Sequence, residues 1–164
     1  MKKLILILIP ALLITFSLNA QSTIVSQNFE AAGDTWNYSP YPSPYNILED
    51  TWDTVASLNG GAITPQSGSL FWGMRDLDNP NGGGAFRHRL TFDVIDISSY
   101  SNVTVSFYYY TDGYDSNDSI FYNVQYDNGT TWPLAGDIEL DKNTLAWTEV
   151  SINVPSGTNY VRLQ

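Results

Sequence analysis

Val103-Thr-Val-Ser-Phe-Tyr-Tyr-Tyr110 alternates apolar and polar side chains with the two-residue period of a β-strand. Its odd-numbered residues share one face, which we expect to point into a core: Val103, Val105, Phe107 and Tyr109. The same period recurs upstream in residues 86–92 and downstream in residues 158–164. Because no stretch of the chain keeps a helical period, the sequence predicts an all-β protein.

Turn-forming residues divide the rest of the chain into short runs. Strands are predicted at residues 22–27, 52–57, 69–74, 119–126, 131–134 and 147–154. Asp127-Asn-Gly-Thr130 is a strong hairpin signal, whereas residues 31–50, with three prolines, predict an irregular surface loop. Roughly eight or nine short strands at intervals near ten residues predict a two-sheet antiparallel sandwich. The sequence stops directly after the run at 158–164, so we expect the last strand of the sandwich to be missing.

The first twenty residues have the features of a bacterial export signal. Lys2 and Lys3 precede an apolar run, and Ala20 is the small residue that a signal peptidase requires. The apolar run is short for a membrane span, which needs about 20 residues. We therefore predict that residues 1–20 are removed, and that residues 21–164 form a single secreted domain with no membrane association.

Composition excludes several classes of function. The chain has no cysteine, which rules out thiol catalysis and thiolate metal sites. It carries 17 acidic residues against seven basic ones, two of which lie in the leader. A surface this negative repels phosphate backbones, so we do not expect nucleic-acid binding.

Several landmarks follow one another in a recognisable order. They are Asn28-Phe29-Glu30 with Trp36, then Trp52, Ser67-Gly-Ser-Leu-Phe71, Val105-Ser-Phe-Tyr-Tyr109 and Trp147-Thr-Glu-Val150. Over most of residues 22–164 this set resembles the jelly-roll domains of the MAM and carbohydrate-binding-module type. It looks closest to the non-catalytic modules appended to large secreted bacterial enzymes and adhesins. The Asp-Asn-Ile/Val strand that usually ends these domains is absent here, as are the cysteines of animal MAM domains.

The resemblance implies a structural calcium ion. In similar jelly rolls the glutamate after the first strand binds Ca²⁺ together with an aspartate on the last strand. That relation implies Glu30 as a ligand, with its partner beyond Gln164. Asp76 and Asp78 lie in a glycine-rich segment that offers carboxylates and carbonyl oxygens to a cation, and they are a second candidate. The alternative for that pair is an acidic surface turn.

Exposed aromatic and arginine side chains are the candidates for ligand binding. Tyr41 lies in the proline-rich segment, where core packing is difficult, and Trp72 lies on a predicted strand. Such rings can stack on a sugar, although the same rings also serve loop packing or the outer face of a sheet. Arg75 and Arg87, with Arg89, can donate hydrogen bonds to hydroxyl groups or pair with the surplus acids.

No catalytic device is recognisable. The single histidine, His88, shares a strand face with Leu90 and Phe92, which favours a structural imidazole over a catalytic base. There is no Gly-x-Ser-x-Gly nucleophile motif, and nothing singles out a pair of carboxylates for glycoside hydrolysis. We therefore expect a non-catalytic accessory or adhesion module that binds carbohydrate or another extracellular surface. Two alternatives remain: the N-terminal part of a larger secreted hydrolase, and a spacer without a ligand.

Overall fold

The computed structural model describes residues 21–77, 87–114 and 117–164. These residues form short antiparallel strands and two single turns of 3-10 helix, Asn59–Gly61 and Leu134–Gly136, which confirms the all-β prediction. In the same ranges no helix has the length and apolarity needed to cross a membrane. The predicted export signal, residues 1–20, lies outside the described residues.

The strands of the described residues are two to six residues long. In chain order they are β1 (Tyr38–Tyr41), β2 (Tyr45–Ile47), β3 (Asp50–Val55), β4 (Phe71–Arg75), β5 (Arg89–Phe92), β6 (Ile95–Asp96), β7 (Thr104–Tyr109), β8 (Phe121–Tyr122), β9 (Val124–Gln125), β10 (Ile138–Glu139), β11 (Thr148–Asn153) and β12 (Tyr160–Leu163).

Antiparallel pairing joins these strands into small sheets. Strand β1 pairs with β5, β7 with β11, and β8 with β10. Two three-stranded sheets have the orders β2-β3-β4 and β6-β12-β9. The sheets are small and unclosed, so the two-sheet jelly-roll arrangement remains a prediction.

The N-terminal part differs from the sequence prediction in two places. Residues 22–27 form no strand; their backbone hydrogen bonds to the following segment are made by the Ser26 carbonyl, which accepts the N–H groups of Thr35 and Trp36. Residues 31–50, predicted as a loop, instead contain β1, β2 and the first residue of β3. Pro40 is tolerated within β1 because that strand pairs only with β5 and leaves its other edge without a partner strand in the described structure.

The predicted hairpin at residues 127–130 is also wrong. Strand β9, just before it, pairs with β12, while β8 pairs with the more distant β10. The Asp127 carboxylate accepts the backbone N–H of Gly129 at 2.9 Å and forms an ion pair with Arg162 at 2.8 Å. Residues 127–130 therefore do not join two strands that pair with each other, although Asp127 keeps a local turn hydrogen bond. The strand predicted at residues 131–134 is absent, and the second 3-10 turn begins at Leu134.

The main core lies between β7 and the sheet that contains β12. Its buried side chains are Trp36, Ile97, Val105, Val161 and Leu163. Val103 and Phe107 pack against them, as the alternation of the 103–110 run predicted. Strand β12 is the middle strand of its sheet: its first half pairs with β6 and its second half with β9. Each fully buried aliphatic or aromatic side chain contributes about 1.5–3 kcal/mol, so this cluster is a major source of packing energy. A second, smaller core cluster consists of Val55, Ile63 and Phe71.

Candidate functional site

A cleft of about 530 Å³ opens beside the β1–β5 pair. The side chains that give it chemical character are Tyr41, Arg87, Arg89, Trp132, Asp137 and Gln164. Two aromatic rings, two guanidinium groups, a carboxylate and an amide thus converge on one concave surface. Sites for polar small ligands combine apolar ring surface with a few positioned polar groups in this way.

The register of β1 and β5 builds one wall of the cleft. Tyr41 lies directly opposite Arg89, and the same alternation places Thr91 on their face. Tyr38 and Phe92 face the other way, and their ring centroids lie 6.1 Å apart. This packed inner face fixes the strand pair, and Tyr41 is left 58% exposed at the cleft.

A hydrogen-bonded carboxylate forms the floor. Asp137 accepts an Arg87 guanidinium N–H at 2.8 Å on one oxygen and the Asn123 amide at 2.8 Å on the other. Burial works against the charge of Asp137, but these hydrogen bonds and the charges of Arg87 and Arg89 outweigh it and lower its pKa. Asn123, 2% exposed, also donates to the Pro133 carbonyl, so buried hydrogen bonds hold the floor of the cleft in place.

Trp132 is supported from below by a buried arginine. The guanidinium carbon of Arg162 lies 4.3 Å from the Trp132 ring centroid, and Arg162 is only 2% exposed. Its Nη2 atom donates to the Thr131 carbonyl at 2.7 Å. The aromatic side chain is thereby attached to β12, which is itself anchored in the core.

Positive charge is concentrated at this cleft although the whole chain has a formal net charge of −10. Arg87 pairs with Asp137, whereas Arg89 forms no ion pair with any residue that the structure describes. Arg89 is exposed and lies on the cleft wall, so its guanidinium is available to an anionic or hydroxyl-rich ligand.

Two of the four predicted ligand-binding residues, Tyr41 and Arg87, meet in the cleft. The other two lie on β4. Trp72 is half-buried with its ring centroid 5.0 Å from that of Trp52 and 5.5 Å from that of Tyr38, and Arg75 pairs with Glu49. Trp132 and Asp137 also line the cleft but were not predicted as ligand-binding residues: Trp132 fell within the strand predicted at residues 131–134, and no sequence motif singled out Asp137.

The predicted calcium ligands do not come together among the described residues. One Glu30 oxygen accepts the backbone N–H groups of Ser69 and Leu70, the latter at 2.6 Å. This carboxylate therefore stabilises the backbone just before β4 rather than pointing to a metal site that the described residues show. Asp76 follows β4 in a left-handed conformation with φ of 52°, and Asp78 lies outside the described residues. Within those residues no group of three or more histidine or acidic side chains is placed to hold a metal. Calcium at Glu30 therefore still rests on the resemblance alone.

His88 lies behind the cleft wall in an aromatic cluster. Its Nε2 atom is 2.8 Å from the Tyr45 hydroxyl, and its ring packs edge-on at 5.1 Å from the Trp52 ring. Burial lowers its pKa, so the imidazole is held neutral at neutral pH.

Known proteins offer no relative from which a ligand for the cleft could be inferred. No protein-family model, no curated protein and no solved structure matches this chain.

Proposed function

We propose that this chain is a secreted, non-catalytic module that binds carbohydrate through the cleft between β1–β5 and Trp132. The observation that carries the proposal is the grouping of Tyr41, Arg89 and Trp132 on one concave surface. Aromatic faces bury the apolar side of a sugar ring, while guanidinium and amide groups bind its hydroxyl groups. Gln164 and Thr91, joined by a 2.9 Å hydrogen bond, add polar groups to the same wall.

We further propose that the preferred sugars are anionic. Arg89 offers a planar set of donors that matches a carboxylate or sulfate group, and it has no ion-pair partner among the described residues. Because the whole chain has a formal net charge of −10, we expect an anionic ligand to be attracted only where a positive group such as Arg89 is exposed. A uronic-acid or sulfated polysaccharide fits this pattern better than a neutral glucan.

The jelly-roll sandwich is part of the same proposal. Strands β7 and β12 belong to different small sheets, yet Val105 of β7 shares a core cluster with Val161 and Leu163 of β12. Two antiparallel layers packed face to face produce this kind of shared core. Such a rigid scaffold supports a ligand site at its surface without supplying a reaction.

The test is a glycan array containing neutral, uronic-acid and sulfated oligosaccharides, followed by calorimetric titration of the best ligand. Tyr41→Ala and Arg89→Gln should each weaken binding at least about tenfold, which corresponds to about 1.4 kcal/mol. Tyr108→Ala is the matched control, because Tyr108 is 46% exposed on β7, away from the cleft. Binding that survives both cleft substitutions would place the site elsewhere, and a wild-type protein that binds no glycan would favour the spacer.

A further inference from the structure

Asp50, the first residue of β3, is a buried acid without a hydrogen-bond partner in the described structure. Its side chain is 0% exposed, and neither carboxylate oxygen has a donor among the described residues. It is one of the largest fully buried side chains in those ranges, together with Trp52, Asn123 and Arg162. Asn123 and Arg162 are held by hydrogen bonds to neighbouring groups, so Asp50 is the exception.

An ionised carboxylate in such a place needs a counter-charge. Removing an isolated carboxylate from water costs several kcal/mol, and buried charges in proteins are paired or coordinate metals. Arg75 lies opposite Thr51, on the other face of β3 from Asp50, and pairs with Glu49. None of the ion pairs formed by the described residues includes Asp50.

The residues around Asp50 include two aromatic side chains and a second aspartate. Alternation along β3 places Asp50 on the face of Trp52, which is 1% exposed, and Ile47 and Tyr45 of β2 lie opposite these two residues. Strand β4 ends at Arg75, opposite Thr51, so Asp76, the next residue of the chain, follows β4 at the end of the sheet where Asp50 begins β3. Burial and, after it, the negative charge of Asp50 raise the pKa of Tyr45, which agrees with their proximity.

We propose that Asp50 is a ligand of a hard divalent cation, Ca²⁺ in particular, bound where β3 begins and β4 ends, with Asp76 as the second acidic ligand. Ca²⁺ accepts irregular sets of carboxylate, carbonyl and water oxygens. Zn²⁺ fits poorly, because the chain has no cysteine and its one histidine has its Nε2 atom in contact with the Tyr45 hydroxyl. This site differs from the one implied at Glu30 and does not depend on the carbohydrate cleft.

Terbium luminescence tests the site directly, because Tb³⁺ replaces Ca²⁺ and is excited by energy transfer from a nearby tryptophan such as Trp52. The purified chain should give saturable luminescence that Ca²⁺ displaces, and its melting temperature should rise with Ca²⁺ relative to a chelator. In Asp50→Asn both responses should be lost, with affinity at least tenfold weaker. Asp53→Asn is the matched control: it lies on the opposite face of β3 and contacts Thr54, so it should respond like the wild type.

Asparagine has nearly the same shape as aspartate and removes the uncompensated charge, so Asp50→Asn is expected to fold, which far-ultraviolet circular dichroism will show. Should it fail to fold, Asp76→Asn, at an exposed position, provides the second variant and should weaken Tb³⁺ binding several-fold. The proposal is overturned if millimolar Ca²⁺ leaves the wild-type melting temperature unchanged. It is equally overturned if a folded Asp50→Asn protein, or Asp76→Asn in its place, binds Tb³⁺ as the wild type does.

Discussion

The guanidinium carbon of Arg162 lies 4.3 Å from the centre of the Trp132 ring, although the two residues are thirty positions apart and Arg162 belongs to the central strand β12. Arg162 also pairs with Asp127 at 2.8 Å and donates to the Thr131 carbonyl at 2.7 Å. One buried cation thus fixes the segment that places Trp132 at the cleft. The ligand surface depends on the core strand beneath it.

Replacing this arginine should destabilise the fold measurably. Arg162→Met keeps an apolar stem but loses the ring contact and both polar contacts, and we expect the free energy of unfolding to fall by about 2 kcal/mol. The loss is moderate because Asp127 is 60% exposed and is rehydrated. Urea unfolding measures it. Arg75→Met removes the exposed pair with Glu49 and should cost less than about 1 kcal/mol, so equal losses in the two variants would contradict this account.

Gly68 should tolerate no side chain. Its φ is +70°, and a Cβ atom would come within 2.5 Å of the Glu30 carboxylate oxygen that binds the backbone before β4. We expect Gly68→Ala to lower stability by about 2–3 kcal/mol, combining the left-handed backbone cost with displacement of Glu30.

The control for this substitution is Gly157→Ala. Gly157 has φ of +84°, and a Cβ atom there would meet no described atom within 4 Å, so it incurs the backbone cost alone, about 1–2 kcal/mol. Thermal and urea unfolding should both rank Gly68→Ala as the more damaging change. The opposite ranking would show that Glu30 moves aside at little cost.

His88 should make stability depend on pH in the mildly acidic range. Its pKa in the folded state is lowered below the ordinary 6.5 by burial, so the unfolded chain binds the proton more readily. This contribution is complete above pH 6.5 and is lost as the pH falls from there through the folded-state pKa. Stability of the wild type should therefore decline in that window.

His88→Phe keeps an aromatic ring beside Trp52 and removes the titrating group, so the decline just below pH 6.5 should become shallower. His88 is the only histidine in the chain, which simplifies the assignment. The measurement is urea unfolding at a series of pH values between about 5 and 8. Parallel curves for wild type and variant would mean that His88 does not carry the effect.

Strand character followed from local patterns where alternation and core packing agreed. The 103–110 run gave β7 with Val105 inside, and the run at 158–164 gave β12 with Val161 and Leu163 inside, because a two-residue period sorts side chains onto two faces whatever the partner strand. Local turn chemistry was less dependable. Asp127-Asn-Gly-Thr130 has the composition of a hairpin, but the ion pair with Arg162 gives Asp127 a different role.

The candidate sites show the same division. Tyr41 and Arg87 were recognisable as polar-tipped or charged side chains unsuited to a core, and both line the cleft. No local sequence pattern predicted that these two residues lie beside Trp132. Nor did one predict that Asp50 is buried with no hydrogen-bond partner among the described residues. The sequence by itself determined the all-β class, the inward faces of its best strands and the acidic character of the chain, because these depend on neighbouring residues and composition. Only the tertiary structure decided which segments line one cleft and which carboxylate is buried without a hydrogen-bond donor among the described residues, because both depend on strand pairing between distant segments.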